Sequence, residues 1–198
     1  TPGVVPTVFL GALPSRYSTK TDVAAAREDL KKSGISHPTV SLAYPTGIEV
    51  NGVSFGDMAA RVQQDLQGIG ITVNLQPESV QVALQSYRGG NEQMGLWEWG
   101  PDYPDPSDYL VFAPGNLVGL RAGWTAADAK GIAILAQKAA DTTGTAARQS
   151  IFETFQKQLN AHSPFMPLIQ PAQVVIATKS VKNLAGNGLW LVDLRNLG

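Results

Sequence analysis

The sequence predicts an α/β fold with a mainly parallel sheet flanked by helices, and three observations predict it. Three short apolar runs read as strands, at 39–44 (TVSLAY), 71–76 (ITVNLQ) and 94–99 (MGLWEW). Between the first two, Phe55, Met58, Ala59, Val62, Leu66 and Ile69 recur at helical spacing on one face. Between the second and third, residues 79–87 carry Val80, Ala83, Leu84 and Tyr87 on one side of a shorter helix. Strand–helix–strand–helix–strand is the order of two right-handed crossovers, which leaves the strands parallel.

The remaining elements follow in chain order. Residues 1–20 hold Pro2, Pro6 and Pro14 without sustained periodicity, and read as an extended arm laid over a surface. A helix follows, started by Thr21-Asp22 and stopped by Gly34, with Glu28 four residues before Lys32 in the favourable order. Gly68 and Gly70 close the helix after the first strand. Beyond a Pro- and Asp-rich loop, 125–142 and 145–162 read as two long helices separated by Gly144, the second with Ile151, Phe152, Phe155 and Leu159 as its buried stripe. Residues 165–178 read as edge strands broken by Pro167 and Pro171. The organisation expected is one lobe over 1–198: the arm at 1–20, a βαβαβ core with its loop at 21–113, and the helical pair with edge strands at 114–198.

Composition narrows the function. The 198 residues carry 15 Lys+Arg against 16 Asp+Glu, and only 16% are charged while 43% are hydrophobic. That balance excludes intrinsic disorder and leaves no basic footprint for nucleic acid. No apolar run reaches the roughly 20 residues of a membrane helix. With no cysteine, thiolate catalysis, disulfides and zinc–thiolate sites are excluded. The chain opens Thr1-Pro2-Gly3 and closes on an apolar run to Leu197-Gly198, and reads as a processed product or an excised piece.

In a parallel sheet, ligands bind beyond the carboxyl ends of the strands. The loops expected there are 45–52, 77–79 and 100–106. The third is chemically the richest, since 97–106 (WEWGPDYPDP) packs two Trp, one Tyr and four acids among three prolines. Proline fixes φ and lowers the entropic cost of holding side chains in place, and aromatics give flat, rigid contact area. An acid beside them pairs with a ligand cation. Asp105, followed by Pro106, reads as a helix cap. Trp97 and Trp99, which strand alternation would place on one face, read equally as core and as ligand walls. Asp102 has no evident structural duty and stands out as the candidate charge anchor.

The segments DVAAAREDLKKSGI (22–35), DLQGIGITV (65–73), WEWGPDYPDP (97–106) and SPFMPLIQPAQVVIATKSVKNL (163–184) together resemble the carboxy-terminal lobe of family 5 extracellular solute-binding proteins, the oligopeptide and dipeptide receptors of ABC importers. The resemblance implies a type II periplasmic-binding-protein-like lobe whose amino-terminal partner lobe is missing. It implies a small solute, a peptide or another amine-bearing molecule, enclosed when the lobes close, and ABC importer permease subunits as partners. It also implies a periplasmic or extracellular location, secreted or lipid-tethered. In peptide-binding members the acid matching Asp102 holds the ligand's α-ammonium, the aromatic matching Trp99 lines the pocket, and the Gly100 backbone lies close by. Trp97 and Tyr103 complete the expected walls. Dipeptide-type members also grip the ligand carboxylate with an Arg near the first strand–helix loop. Here no Lys or Arg occurs between Lys32 and Arg61, and Glu49 and Asn51 occupy that loop.

Two other readings remain open. Asp102 and Asp105, with Glu98 and Asp108 nearby, have the residue types of a glycoside-hydrolase acid pair. Lobes of this family also serve as ligand-sensing domains of transcriptional regulators. His37 precedes a proline and His162 ends a helix, so neither reads as a metal ligand, and no nucleotide-binding or nucleophile-elbow motif is present. The expectation is a binding protein without catalytic residues, metal or cofactor.

Overall fold

The computed structural model describes residues 1–172, 174–186 and 192–198. They form two compact units: Lys20–Glu98 with Arg121–Gly123, and Thr1–Thr19 with Trp99–Leu120 and Trp124–Gly198. Of the expected 21–113 segment, residues up to Glu98 therefore lie in the first unit and the rest in the second.

The first unit holds the sheet. Strand β1 (Thr39–Pro45) lies between β4 (Thr72–Glu78) and β5 (Met94–Gly95), parallel to both, with Leu42 opposite Leu75 on one side and Met94 on the other. Helix α1 (Val23–Lys32) is capped by Asp22, whose carboxylate accepts the Ala25 N–H, and Gly34 follows at φ 72°. The expected Glu28–Lys32 pair does not form; Lys32 instead meets Asp29, one residue closer, at 3.5 Å.

Helix α2 (Phe55–Gln67) starts from Ser54, whose hydroxyl accepts the Asp57 N–H and donates back to the Asp57 carboxylate, closing both ends of the first turn. Helix α3 (Val80–Gly89) starts from Ser79 and ends on Gly90 in the left-handed conformation. Leu42, Tyr44, Phe55, Ala59, Val73 and Leu96 make the core between sheet and helices. The 45–52 loop contains a small hairpin the sequence reading missed. Strands β2 (Glu49–Val50) and β3 (Val53–Ser54) are joined by Asn51-Gly52, both at positive φ, as a tight two-residue hairpin turn requires.

The third strand is much shorter than 94–99. After Gly95, Leu96 donates one more bond to the Ala43 carbonyl, and the chain then leaves the sheet. Strand alternation therefore does not govern Trp97 and Trp99. At the carboxyl edge, the N–H and hydroxyl of Thr46 both donate to the Glu78 carbonyl, tying the loops after β1 and β4 together.

The second unit is built on α5 (Lys130–Asp141) and α6 (Thr145–His162), which pack through Ile132, Ala136 and Ala139 against Phe152, Phe155 and Leu159. Helix α5 starts five residues later than the sequence suggested. Asp128 accepts both the N–H and the hydroxyl of Thr125, a local turn that competes with helix over 125–128. The short α4 (Leu117–Arg121) and a 3-10 helix at Pro106–Phe112 precede α5.

The first residues are not a surface arm. Val5 and Leu13 are each 1% exposed, and Gln156, fully buried on α6, accepts the Val5 N–H and donates to the Gly11 carbonyl. The Asn160 amide donates to the Pro2 carbonyl at 2.7 Å. Prolines that prevent regular structure there do not prevent burial when side chains of a neighbouring helix satisfy the backbone.

Among the described residues of 165–178 there is no strand. Pro164, Pro167 and Pro171 interrupt any ladder, and Val174 and Ile176 are largely exposed. Within the apolar closing run, Leu189, Trp190 and Leu191 lie outside the described residues.

Candidate functional site

The Pro- and Asp-rich loop is held from below by its own helix. Pro106 opens the 3-10 turn, and Asp105 caps it by accepting the Ser107 N–H at 2.9 Å. The same carboxylate takes two bonds from the Arg148 guanidinium, at 2.6 and 2.7 Å. Burial works against the Asp105 charge, but Ser107 and Arg148 together outweigh it and hold the carboxyl below its ordinary range. Asp105 is thus the structural cap that its sequence context suggests, and it is fully engaged rather than poised as one half of an acid pair.

Asp108 lies one turn on and is only 4% exposed. Its carboxylate accepts the Asp102 backbone N–H at 2.7 Å, which fixes the loop three residues before the cap. Burial pushes the Asp108 carboxyl up, the Asp102 N–H pulls it down, and the Asp102 charge adds a smaller upward push. Sequence reasoning counted Asp108 only as a nearby acid. The signal that identifies it is its place in the first turn of a Pro-started helix, where a carboxylate faces back toward the preceding loop.

With its N–H bound, Asp102 carries its side chain on the surface, and among the described residues its carboxylate makes no hydrogen bond or ion pair. Tyr103 is 45% exposed, with its hydroxyl 3.4 Å from that of Ser107. Gly100 is exposed, and a Cβ there would meet nothing within 4 Å, so its backbone is open to approach. Trp99 is half-buried and packs edge-on against Phe112, with ring centroids 5.4 Å apart. Its indole N–H is enclosed yet has no acceptor among the described residues, and the same holds for the hydroxyl of Tyr109. Phe112 stacks on Tyr109 and meets Phe165 edge-on, so Trp99 ends a continuous aromatic row.

Trp97 belongs to the other unit. Its N–H donates to Glu92 at 2.9 Å and its ring lies 4.8 Å from that of Tyr87, which carries the Arg121 guanidinium over its face. Burial raises the Glu92 carboxyl. Of the two roles open to Trp97 in the sequence, these contacts are those of packing. The structure therefore brings Trp99, Gly100, Asp102 and Tyr103 onto one loop of one unit, while Trp97 is engaged within its own. Glu49 and Asn51 sit at the β2–β3 hairpin, not in an open loop.

Among the described residues, no group of three His, Cys, Asp or Glu gathers as a metal site, and no helix is long and apolar enough to cross a membrane. The arrangement offers a free carboxylate, a flat aromatic wall and open backbone on a braced loop, which is equipment for holding a cationic group.

Known proteins place the chain. It is 26% identical over 184 residues to the Di/tripeptide-binding protein 2 of Pseudomonas aeruginosa, a match covering 90% of this chain but 34% of that protein. The chain thus spans about a third of the length of that curated relative. The structure of HbpA2 from Haemophilus parasuis superposes with a TM-score of 0.74 at 19% identity, over 98% of this chain and 38% of that one. The Escherichia coli murein tripeptide binding protein MppA gives 0.67 at 19% identity, over 80% and 31%. These similarities show the fold, that of type II periplasmic binding proteins. The family model described as "Bacterial extracellular solute-binding proteins, family 5 Middle" matches residues 1–116. More than half of the chain is covered by that match, and the chain belongs to family 5 of the bacterial extracellular solute-binding proteins.

Proposed function

We propose that this chain is the carboxy-terminal lobe of a two-lobe receptor that captures a peptide for uptake by an ABC importer. Asp102 is the anchor for the ligand's α-ammonium, and Trp99, Gly100 and Tyr103 form the wall beside it. The observation that carries the reading is the Asp102 carboxylate, free of partners among the described residues on a loop braced at two points. The printed name of the curated relative, a di/tripeptide-binding protein, supports a peptide as the solute class. The receptor works outside the cytoplasmic membrane, secreted or lipid-tethered, and hands its ligand to the importer's permease subunits.

The reading is tested by calorimetric titration of the full-length gene product that carries this chain, with tri-alanine as probe. Asp102→Asn removes the charge while keeping the shape. A charge-assisted bond to an ammonium is worth about 1.5–3 kcal/mol, so affinity should fall by that amount. Unchanged affinity removes Asp102 from the site.

A further inference from the structure

Asp108 is the one strongly buried acid of the loop region, and its burial calls for a reason. An acid in the first turn of a helix is favoured by the backbone dipole, but that benefit is available at the surface, without the cost of leaving water. Asp105 already caps the turn. What Asp108 does that no neighbour does is accept the backbone N–H of Asp102, at a distance typical of a charge-assisted bond. Prolines 101, 104 and 106 limit the loop's conformations, yet none of them fixes the rotation of the Asp102 peptide, because that peptide's N–H needs an acceptor.

We infer that Asp108 is a positioning residue for the ligand: by holding the Asp102 peptide it fixes the Asp102 carboxylate where an incoming ammonium meets it. The inference rests on the reading of Asp102 as the ammonium anchor. It adds that affinity for a free amino terminus is set by a residue that touches no ligand. A carboxylate held by a bound peptide is preorganised, so less rotational freedom is lost when the ligand arrives.

The test compares two probes, tri-alanine and N-acetyl-tri-alanine, by calorimetry on the full-length gene product. The ratio of their affinities reads ammonium recognition and is insensitive to a general loss of binding sites. Asp108→Ala should lower that ratio about tenfold, the effect of losing a bond to a charged group. Asp108→Asn keeps an oxygen acceptor for the Asp102 N–H and should restore most of the loss. Asp102→Asn is measured in parallel and should abolish the discrimination.

If Asp102→Asn abolishes it while Asp108→Ala leaves it at the wild-type value, the positioning role is overturned and the anchor stands. If Asp108→Asn loses as much as Asp108→Ala, the hydrogen bond is not the cause and the inference also fails. If Asp102→Asn leaves the ratio unchanged, the anchor itself is wrong. A second measurement does not depend on any variant folding. The Asp102 amide of the wild-type protein should exchange with solvent markedly more slowly than that of Tyr103, and equal exchange refutes the bond.

Discussion

Removing Asp105 should unfasten the loop and its helix together. Asp105→Ala deletes the acceptor of the Ser107 N–H and both oxygens that face Arg148. Loss of the cap costs about 1 kcal/mol. The ion pair lies between two regimes, because the Arg148 side chain is 20% exposed and that of Asp105 41%. Exposed pairs contribute about 0–1 kcal/mol and breaking buried ones costs about 3–5, so about 1–2 is expected here. The sum is about 2–3 kcal/mol, or a fall in Tm of roughly 4–12 °C for a chain of this size. Asp105→Asn retains the cap and should lose only the pair, as should Arg148→Met.

Urea unfolding of the three variants, followed by circular dichroism, separates the two contributions. The sign with pH is also fixed. The folded carboxyl is depressed, so its contribution is complete above the unfolded value of about 3.9 and is lost as pH falls through the lower folded one. The gap between wild type and Asp105→Asn should be constant near neutrality and close below about pH 4. An Asp105→Ala variant within about 0.5 kcal/mol of wild type, or an Asn variant as unstable as the Ala one, would refute the two-part brace.

Two further outcomes follow from buried polar atoms. Gln156→Leu keeps the volume but strands the Val5 N–H and the Gly11 carbonyl, at about 1–3 kcal/mol each. Limited proteolysis should then cut within residues 1–20, and an uncut chain of wild-type stability contradicts the arm's role. Tyr109→Phe removes a hydroxyl that is enclosed without a partner among the described residues, and should raise stability by up to about 1 kcal/mol in the same urea assay. A loss of stability would mean that the hydroxyl is satisfied.

What was legible in the sequence is what is decided locally. The caps at Asp22, Ser54, Ser79 and Asp105 each act within three residues, and all four were placed by residue type alone or sat at the correct helix start. The parallel order of the strands followed from their helical connections. The misreadings share a different cause. The third strand stopped early because Trp97 found partners in Glu92 and Tyr87, contacts that no strand propensity encodes. The arm was taken for a surface segment because Gln156, which satisfies it, lies some 150 positions away. At the candidate site, Asp102 stood out from its composition, whereas Asp108 did not, since its burial is a property of the folded turn.

The split of the chain into units has a consequence for how it is made. The sheet-bearing unit is nearly one uninterrupted stretch, from Lys20 to Glu98, with its partners close along the chain. The helical unit is assembled from three stretches, and the opening residues wait for Gln156 and Asn160 before their backbone is satisfied. On the ribosome, where domains mature in the order they emerge, the sheet closes first. The opening segment spends most of synthesis unpaired, with Val5 and Leu13 in water. Slow closure of such distant contacts makes this segment the part of the nascent chain most in need of a chaperone.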